Sequence, residues 1–490
     1  MAAHWLNSLV QRGALGPFYC EGHEVLRRIF VTVRDRHWQE IAPTEWEAAI
    51  DESRRTVSMA ARHISELVDF EWHGTLQVSE DSRTLQFAFA GTVRRDMEIC
   101  RLGLIVLHPL ESLIGSRLTA KGLQGSERIT VAGQIHPQPI VDGVPDSLLE
   151  PFSELRIDRE DFGGLALFFA GDQFELEDQR NWGDASFKTY CTPLRLGVPR
   201  RVKAGTAVAH RVEVEFEPAP HIVRASGAAA SQTIQPATPL PELGREWRGS
   251  QSLDHLDHED RTWQHIHVDA TDAVAAAALP RLLESVTAPS IQLALSIGPG
   301  ETLPAELLGR LADYPARIAR LLISGPGTSP PDRPTIERCR QAAAGVSHSL
   351  PVWAATKGYF VEFNRAVPFD LPVDGIAFPL TATVHSDDVA TVNENVATIR
   401  DIADTAASLS GAAPLALVPL AVHYPPSAAR PLPQSLIASW LAATLEHARL
   451  AGVASITLGE DVIRALGPSS YLRQLIGTAG FLWPRGEARW

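Results

Sequence analysis

Ser435-Leu-Ile-Ala-Ser-Trp-Leu-Ala-Ala-Thr-Leu-Glu-His-Ala-Arg-Leu-Ala-Gly-Val-Ala-Ser-Ile-Thr-Leu458 carries a helix, a stop and a strand in one short span. Leu436, Ile437, Trp440, Leu441 and Leu445 form one apolar stripe at helical spacing, and Gly452 ends it. The run Ser455–Leu458 then reads as a buried strand. Working back towards the N-terminus, the same alternation repeats. Strand-like runs stand at His265–Val268, Ile291–Ile297, Arg320–Ser324, Val352–Ala355, Gly375–Pro379 and Leu415–Pro419. Helices fit between them at 303–313, 335–344, 392–408 and 435–451. Alternating β and α over about 240 residues predicts a (β/α)8, TIM-barrel-like domain. A doubly wound open sheet is the alternative, but no glycine-rich phosphate loop accompanies it.

The first half of the chain has a different period. Leu85, Phe87 and Phe89 alternate with smaller residues, Leu76 and Val78 alternate with polar ones, and Val208 to Phe216 alternates again. Leu165–Phe169 reads as a strand covered on both faces. These runs predict a β-sandwich-like domain over 1–224, with one helix near Thr44 to Ile64. Residues 225–240 have a linker's composition, leaving 241–490 to the barrel.

Within 175–194 the chain gathers Glu177, Asp178, Gln179, Arg180, Asn181, Asp184, Ser186 and Lys188 around Trp182, with no helix or strand period to sort them. Such density fits either a polyhydroxylated ligand or a buried network in which each group is matched. This block resembles the D-apionolactonase (D-apionate lactonase) family, which hydrolyses the lactone of a branched-chain aldonic acid. Leu26–Asp35, Arg101–Pro109, His136–Pro139 and Phe360–Arg365 match in the same order. The resemblance covers most of residues 20–425 and implies the same pair of domains. It fades beyond about residue 425. Relatives carry further sequence there, whereas this chain ends at Trp490, so it reads as a divergent, shortened member.

The candidate site residues follow from barrel logic and from this match. Glu362, Asn364 and Arg365 stand at the end of the run Tyr359–Phe363, read as extended, where alternation places Glu362 and Asn364 on one face. Glu362 is the expected acid or base, with a salt bridge at the barrel top as the alternative. His385 follows the Gly375–Pro379 strand and is the expected proton acceptor, unless Asp387 or Asp388 binds it. Glu460 follows the last strand, where the pattern departs from the family; a solvated Glu460–Asp461 pair is the alternative. Arg180, Asn181, Lys188, Asn364, Arg365, Glu177 and Asp178 are expected to bind substrate, against the alternative that 175–194 is an interdomain latch. Arg101 and His108 read as structural.

Asp254–Arg261 with His265 and His267 mixes carboxylates and imidazoles but fits no zinc spacing, so neither a metal nor another cofactor is expected. Cys20, Cys100, Cys191 and Cys339 are scattered and read as free buried thiols. A net charge of −14 argues against nucleic acid or an anionic membrane surface as partner and permits a neutral sugar lactone. No basic-then-apolar segment opens the chain, which predicts a cytoplasmic protein. The absence of GxSxG, GxxxxGK[ST] and GxGxxG disfavours serine-hydrolase and nucleotide chemistry. The sequence therefore predicts a hydrolase of carbohydrate metabolism opening D-apionolactone to D-apionate. A two-carboxylate glycoside hydrolase and a non-catalytic sugar-binding descendant remain open, and oligomeric state is not legible.

Overall fold

The computed structural model describes residues 10–11, 13–20, 23–159, 163–218, 240–250, 263–285, 289–366, 370–423 and 432–467. The chain forms two compact units, Met1–Gln179 with Ser186–Gln232, and Arg180–Ala185 with Thr233–Trp490.

The first unit is a sandwich of two antiparallel sheets. A seven-stranded sheet centres on Arg28–Asp35 and Met97–Pro109, and a nine-stranded sheet runs from Gly125–Thr130 to Glu45–Asp51. One apolar core lies between them, with Val31, Val33, Leu104 and Val106 from the first sheet against Leu76, Phe87, Val212 and Val214 from the second. The helix expected near Thr44 to Ile64 is instead a hairpin of Glu45–Asp51 and Thr56–Ile64. Val57, Met59, Ala61 and His63 are buried at every second position, a strand period. Asp51 makes the turn, accepting from Ser53 Oγ at 2.6 Å and the Arg54 amide at 3.0 Å.

The second unit is a closed parallel barrel: β1 Glu242–Glu246, β2 His265–Asp269, β3 Ser290–Ser296, β4 Ile318–Ser324, β5 Val352–Ala355, β6 Ile376–Thr381, β7 Leu415–Ala421 and β8 Ser455–Leu458. Its main helices are α1 Ala273–Glu284, α2 Ala305–Ala312, α3 Arg333–Ala344, α4 Phe360–Arg365, α5 Val389–Glu394, α6 Thr398–Ser410, α7 Gln434–Leu450 and α8 Glu460–Leu466. Aspartates start three of them: Asp272 caps α1, Asp332 caps α3 and Asp388 caps α5, each accepting first-turn amides. Gly411, at φ 66°, ends α6 in the left-handed conformation.

The linker at 225–240, save Leu240, and the Asp254–Arg261 cluster lie outside the described residues. Cys100, Cys191 and Cys339 are buried and free. Among the described residues no helix is long and apolar enough to cross a membrane.

Candidate functional site

The carboxyl ends of the barrel strands carry polar residues, while the walls beneath them are small. Ala294, Ala355 and Ala377 leave space that larger side chains would fill, and a cavity of about 290 Å³ results. Its polar lining includes Glu246, Arg248, His267, Asp269, Asp272 and Lys357, beside Trp247. Lys357, just past β5, reaches Asp269 at the end of β2, Nζ to Oδ2 2.7 Å, and also donates to Thr271 Oγ1. Thr271 Oγ1 in turn donates to Asp269 Oδ1 at 2.6 Å. Burial pushes the Asp269 carboxyl up, but these hydrogen bonds outweigh it and hold the group below the usual range. Arg248 pairs with Glu246 at 3.1 Å and lies 3.5 Å from Glu460. Burial lowers the His267 imidazole, and Gln292 Nε2 stands 3.2 Å from its Nδ1. Deeper in the barrel, burial drives His265 down to about 3 while its Nε2 bonds Thr457 Oγ1 at 2.9 Å.

A second constellation forms around Trp182. The segment Arg180–Ala185 belongs to the barrel unit, and its Asp184 is buried. Asp184 Oδ1 accepts from Asn395 Nδ2 at 3.2 Å, and Oδ2 hydrogen-bonds His385 Nδ1. The carboxylate thereby fixes the ring and favours a proton on Nδ1, which leaves Nε2 as the basic nitrogen. The Trp182 ring meets His385 edge-on at 5.9 Å, and the Arg365 guanidinium sits 5.8 Å from the Trp182 centroid. Arg365 is 4.0 Å from Glu362. Burial raises the Glu362 carboxyl, and Arg365 pulls it back in part. Burial, with the charge of Asp184, pushes the Tyr359 hydroxyl up to about 12.

The extended reading of Tyr359–Phe363 is corrected here: the segment enters helix α4. Phe360 and Phe363, three apart, both pack on Phe378 of β6, with ring centroids 5.2 and 5.9 Å away. Glu362 and Arg365 consequently share the outer side, and Asn364 turns inward, its Nδ2 donating to Asn181 Oδ1 at 2.9 Å. His385 finds Asp184 rather than Asp387 or Asp388; Asp388 caps α5. Glu460 and Asp461 are not a solvated pair. Glu460 meets Arg464 at 2.6 Å and Arg248 at 3.5 Å, while Asp461 accepts the amides of Val422 and His423.

The structure thus sets Arg365 beside Glu362 and puts Arg365 and His385 each against Trp182, and divides the other expected residues. Arg180 is fully buried, 2.9 Å from Asp401 of α6. Lys188, Glu177 and Asp178 belong to the first unit. There Lys188 Nζ lies 2.6 Å from Glu177, whose other oxygen accepts from Gln138 at 3.2 Å, and Asp178 accepts the His136 amide at 3.2 Å. Arg101 is also buried in that unit, donating to the Thr192 carbonyl and lying 3.5 Å over the Tyr190 ring. Sequence reasoning assigned no role to Lys357, Asp269, Glu246, Arg248 or Trp247. Each is a single polar or aromatic residue at a strand end, a position that only the strand boundaries reveal.

Among the described residues one group has metal-ligating types close together: Asp172, Cys191 and His210, in the first unit. His210 Nδ1 already accepts the Leu104 amide at 3.2 Å, and burial pushes the Cys191 thiol up to about 12. A Cβ on Gly103 would come within 2.6 Å of Cys191 Sγ and 2.4 Å of His210, so the cluster is tightly packed.

Residues 1–219 match the family described as D-apionate lactonase, N-terminal domain, and residues 248–465 match its TIM barrel domain. A protein named D-apionate lactonase from Brucella anthropi is 24% identical over 443 residues, covering 83% of this chain and 70% of that protein. Solved structures are similar only weakly. A putative aldose 1-epimerase from Escherichia coli K12 is 13% identical, covers 42% of this chain and 93% of its own, and has a TM-score of 0.27. A GH128 endo-beta-1,3-glucanase variant from Amycolatopsis mediterranei is 13% identical over 46% of this chain and 91% of its own, with a TM-score of 0.29.

Proposed function

The chain belongs to the D-apionate lactonase family, and on that premise we propose that it opens D-apionolactone to D-apionate at the mouth of its barrel. Lactone hydrolysis as such is what the family and its named member support. The observation that carries the site is the hydrogen bond from His385 Nδ1 to buried Asp184, with Arg365 at the same tryptophan and Glu362 beside Arg365.

His385 Nε2 takes a proton from water as the water oxygen bonds to the acyl carbon. The carbonyl π pair moves to its oxygen, and Asp184 stabilises the imidazolium. The intermediate collapses, the ring C–O bond breaks, and the leaving alkoxide takes a proton from Glu362, whose carboxyl burial keeps protonated to higher pH. The proton held by His385 passes on to Glu362 and the product acid loses its proton to solvent, which resets both groups and releases one proton per turnover. Arg365 is the nearby donor for a hydroxyl or the oxyanion. Glu460, the second carboxylate that a glycosidase would need, is engaged by two arginines, and for that reason the lactonase reading is preferred.

The test is acid release from D-apionolactone, read by pH indicator, for the wild type, His385→Asn and Glu362→Gln. Losses of about 10²–10⁴-fold in kcat with unchanged melting are expected. Full activity in His385→Asn would remove the base from the scheme.

A further inference from the structure

The lactonase scheme leaves unexplained the ion pair that crosses the barrel mouth. Neighbouring strands commonly share ion pairs, but Lys357 follows the fifth strand and Asp269 ends the second. The lysine therefore extends over the 290 Å³ cavity, close to the lower end of the roughly 300–1,000 Å³ that small-molecule sites span. A structural ion pair would be expected to fill such a space rather than border it. A second observation is independent. Trp247 lines the same cavity, is 1% exposed, and its Nε1–H has no acceptor among the described residues. A buried donor without a partner is costly, and a ligand oxygen is the kind of group that relieves it. Of the other polar lining groups, Glu246 and Asp272 are acceptors suited to hydroxyl donors, while Arg248 is a further donor.

We propose that this cavity holds the lactone ring and its aldonate product, with Lys357 as a catalytic residue donating to the acyl oxygen and Trp247 as a second donor to the ligand. This rests on the lactonase reading and adds an electrophile to it. Asp269 and Thr271 hold the ammonium in place. As water adds, negative charge grows on the acyl oxygen and Lys357 exchanges part of its contact with Asp269 for it. No proton leaves the lysine, so the balance of the step is unchanged. Gly358, the next residue, passes directly under Glu362: a Cβ there would lie 2.4 Å from Glu362 Cγ. The proposed electrophile and the proposed acid are thus held by one short segment.

Lys357→Met and Trp247→Phe test this in the full-length protein. Two quantities are read: kcat/KM for D-apionolactone, and the dissociation constant of sodium D-apionate by calorimetry, with acetate as control. Lys357→Met is expected to lower kcat/KM by about 10²–10³-fold and to weaken D-apionate binding at least about tenfold, the scale of one lost charge-assisted hydrogen bond. Lys357→Arg should recover part of both. Trp247→Phe, which keeps the ring and loses the donor, should weaken D-apionate binding severalfold. Unchanged kcat/KM and unchanged D-apionate binding in Lys357→Met overturn the proposal. Should that variant not fold, unchanged D-apionate binding in Trp247→Phe does so. Calorimetry needs no turnover: a wild type that binds D-apionate through Lys357 but hydrolyses no lactone would sink the reaction scheme and leave the binding site standing.

Discussion

Replacing Glu177 by Gln isolates the cost of the buried ion pair in the first unit. Lys188 and Glu177 side chains are only 7% and 8% exposed and lie 2.6 Å apart. Burial lowers the Lys188 ammonium to about 8 from an ordinary lysine's 10.5, with Glu177 raising it and the cations Arg34 and Arg101 lowering it further. Because the folded value lies below the unfolded one, the unfolded chain holds more protons between them. Stability from this group therefore rises with pH through that window and is flat below it. Without Glu177, burial and the two arginines lower the folded value further. The variant then sheds the proton instead of bearing an unpaired charge, which caps the penalty. At pH 7 the lysine-linked loss is at most the distance from 8 to 7, about 1 kcal/mol, or about 2–4 °C in the melting temperature of a domain this size. The gap to wild type should widen towards pH 6 and close above pH 8. Differential scanning fluorimetry at pH 6, 7, 8 and 9 measures it, together with kcat/KM. A gap constant across that range would refute the reasoning, and a loss of kcat/KM in fully folded Glu177→Gln would restore Glu177 and Lys188 to substrate binding.

Three further outcomes follow from the barrel. Asp184→Asn should cut kcat by about 10²–10⁴-fold while His385 remains in place, as checked by lactonase kinetics beside circular dichroism. Gly358→Ala should displace Glu362 and lower kcat at least about tenfold, with some loss of melting temperature because the new Cβ would also lie 3.0 Å from Thr328 Cβ. Since burial raises the Glu362 carboxyl, the acid it supplies is lost as pH rises through that raised value; the alkaline limb of the kcat profile should disappear in Glu362→Gln.

Much of the barrel was legible because its strands are short apolar runs between amphipathic helices. Val352–Ala355 and Ser455–Leu458 stand where the runs place them, and the helix read at 435–451 is Gln434–Leu450. The first strand was not legible. Glu242–Glu246 carries one leucine, and Gly244 is there because any Cβ would meet His265 at 2.1 Å. Helix α1 hides its stripe of Ala275, Leu279 and Leu282 among alanines and Pro280. The single helix read at 392–408 is broken around Asn395, whose side chain leaves the helix pattern to bind Asp184, the Ala382 carbonyl and the Ala185 amide. Local periodicity reports the face a residue shows to the core; a residue serving a distant partner breaks it.

That break has a consequence for where function can be read. Asp184 and His385 lie 201 positions apart, and neither has a local pattern that names the other. The density of polar residues around Trp182 signalled that 175–194 needs partners, yet two opposite solutions coexist within it. Arg180 and Lys188 each pair with a carboxylate inside their own units, Asp401 and Glu177. Asp184, flanked by them, instead holds a histidine that is partly exposed. A carboxylate paired with an imidazole can share a proton with it, whereas one paired with a permanently charged arginine stores only stability. The chemistry proposed for the block therefore centres on Asp184 and its imidazole partner, a pairing that the sequence reading, which offered Asp387 or Asp388, did not contain.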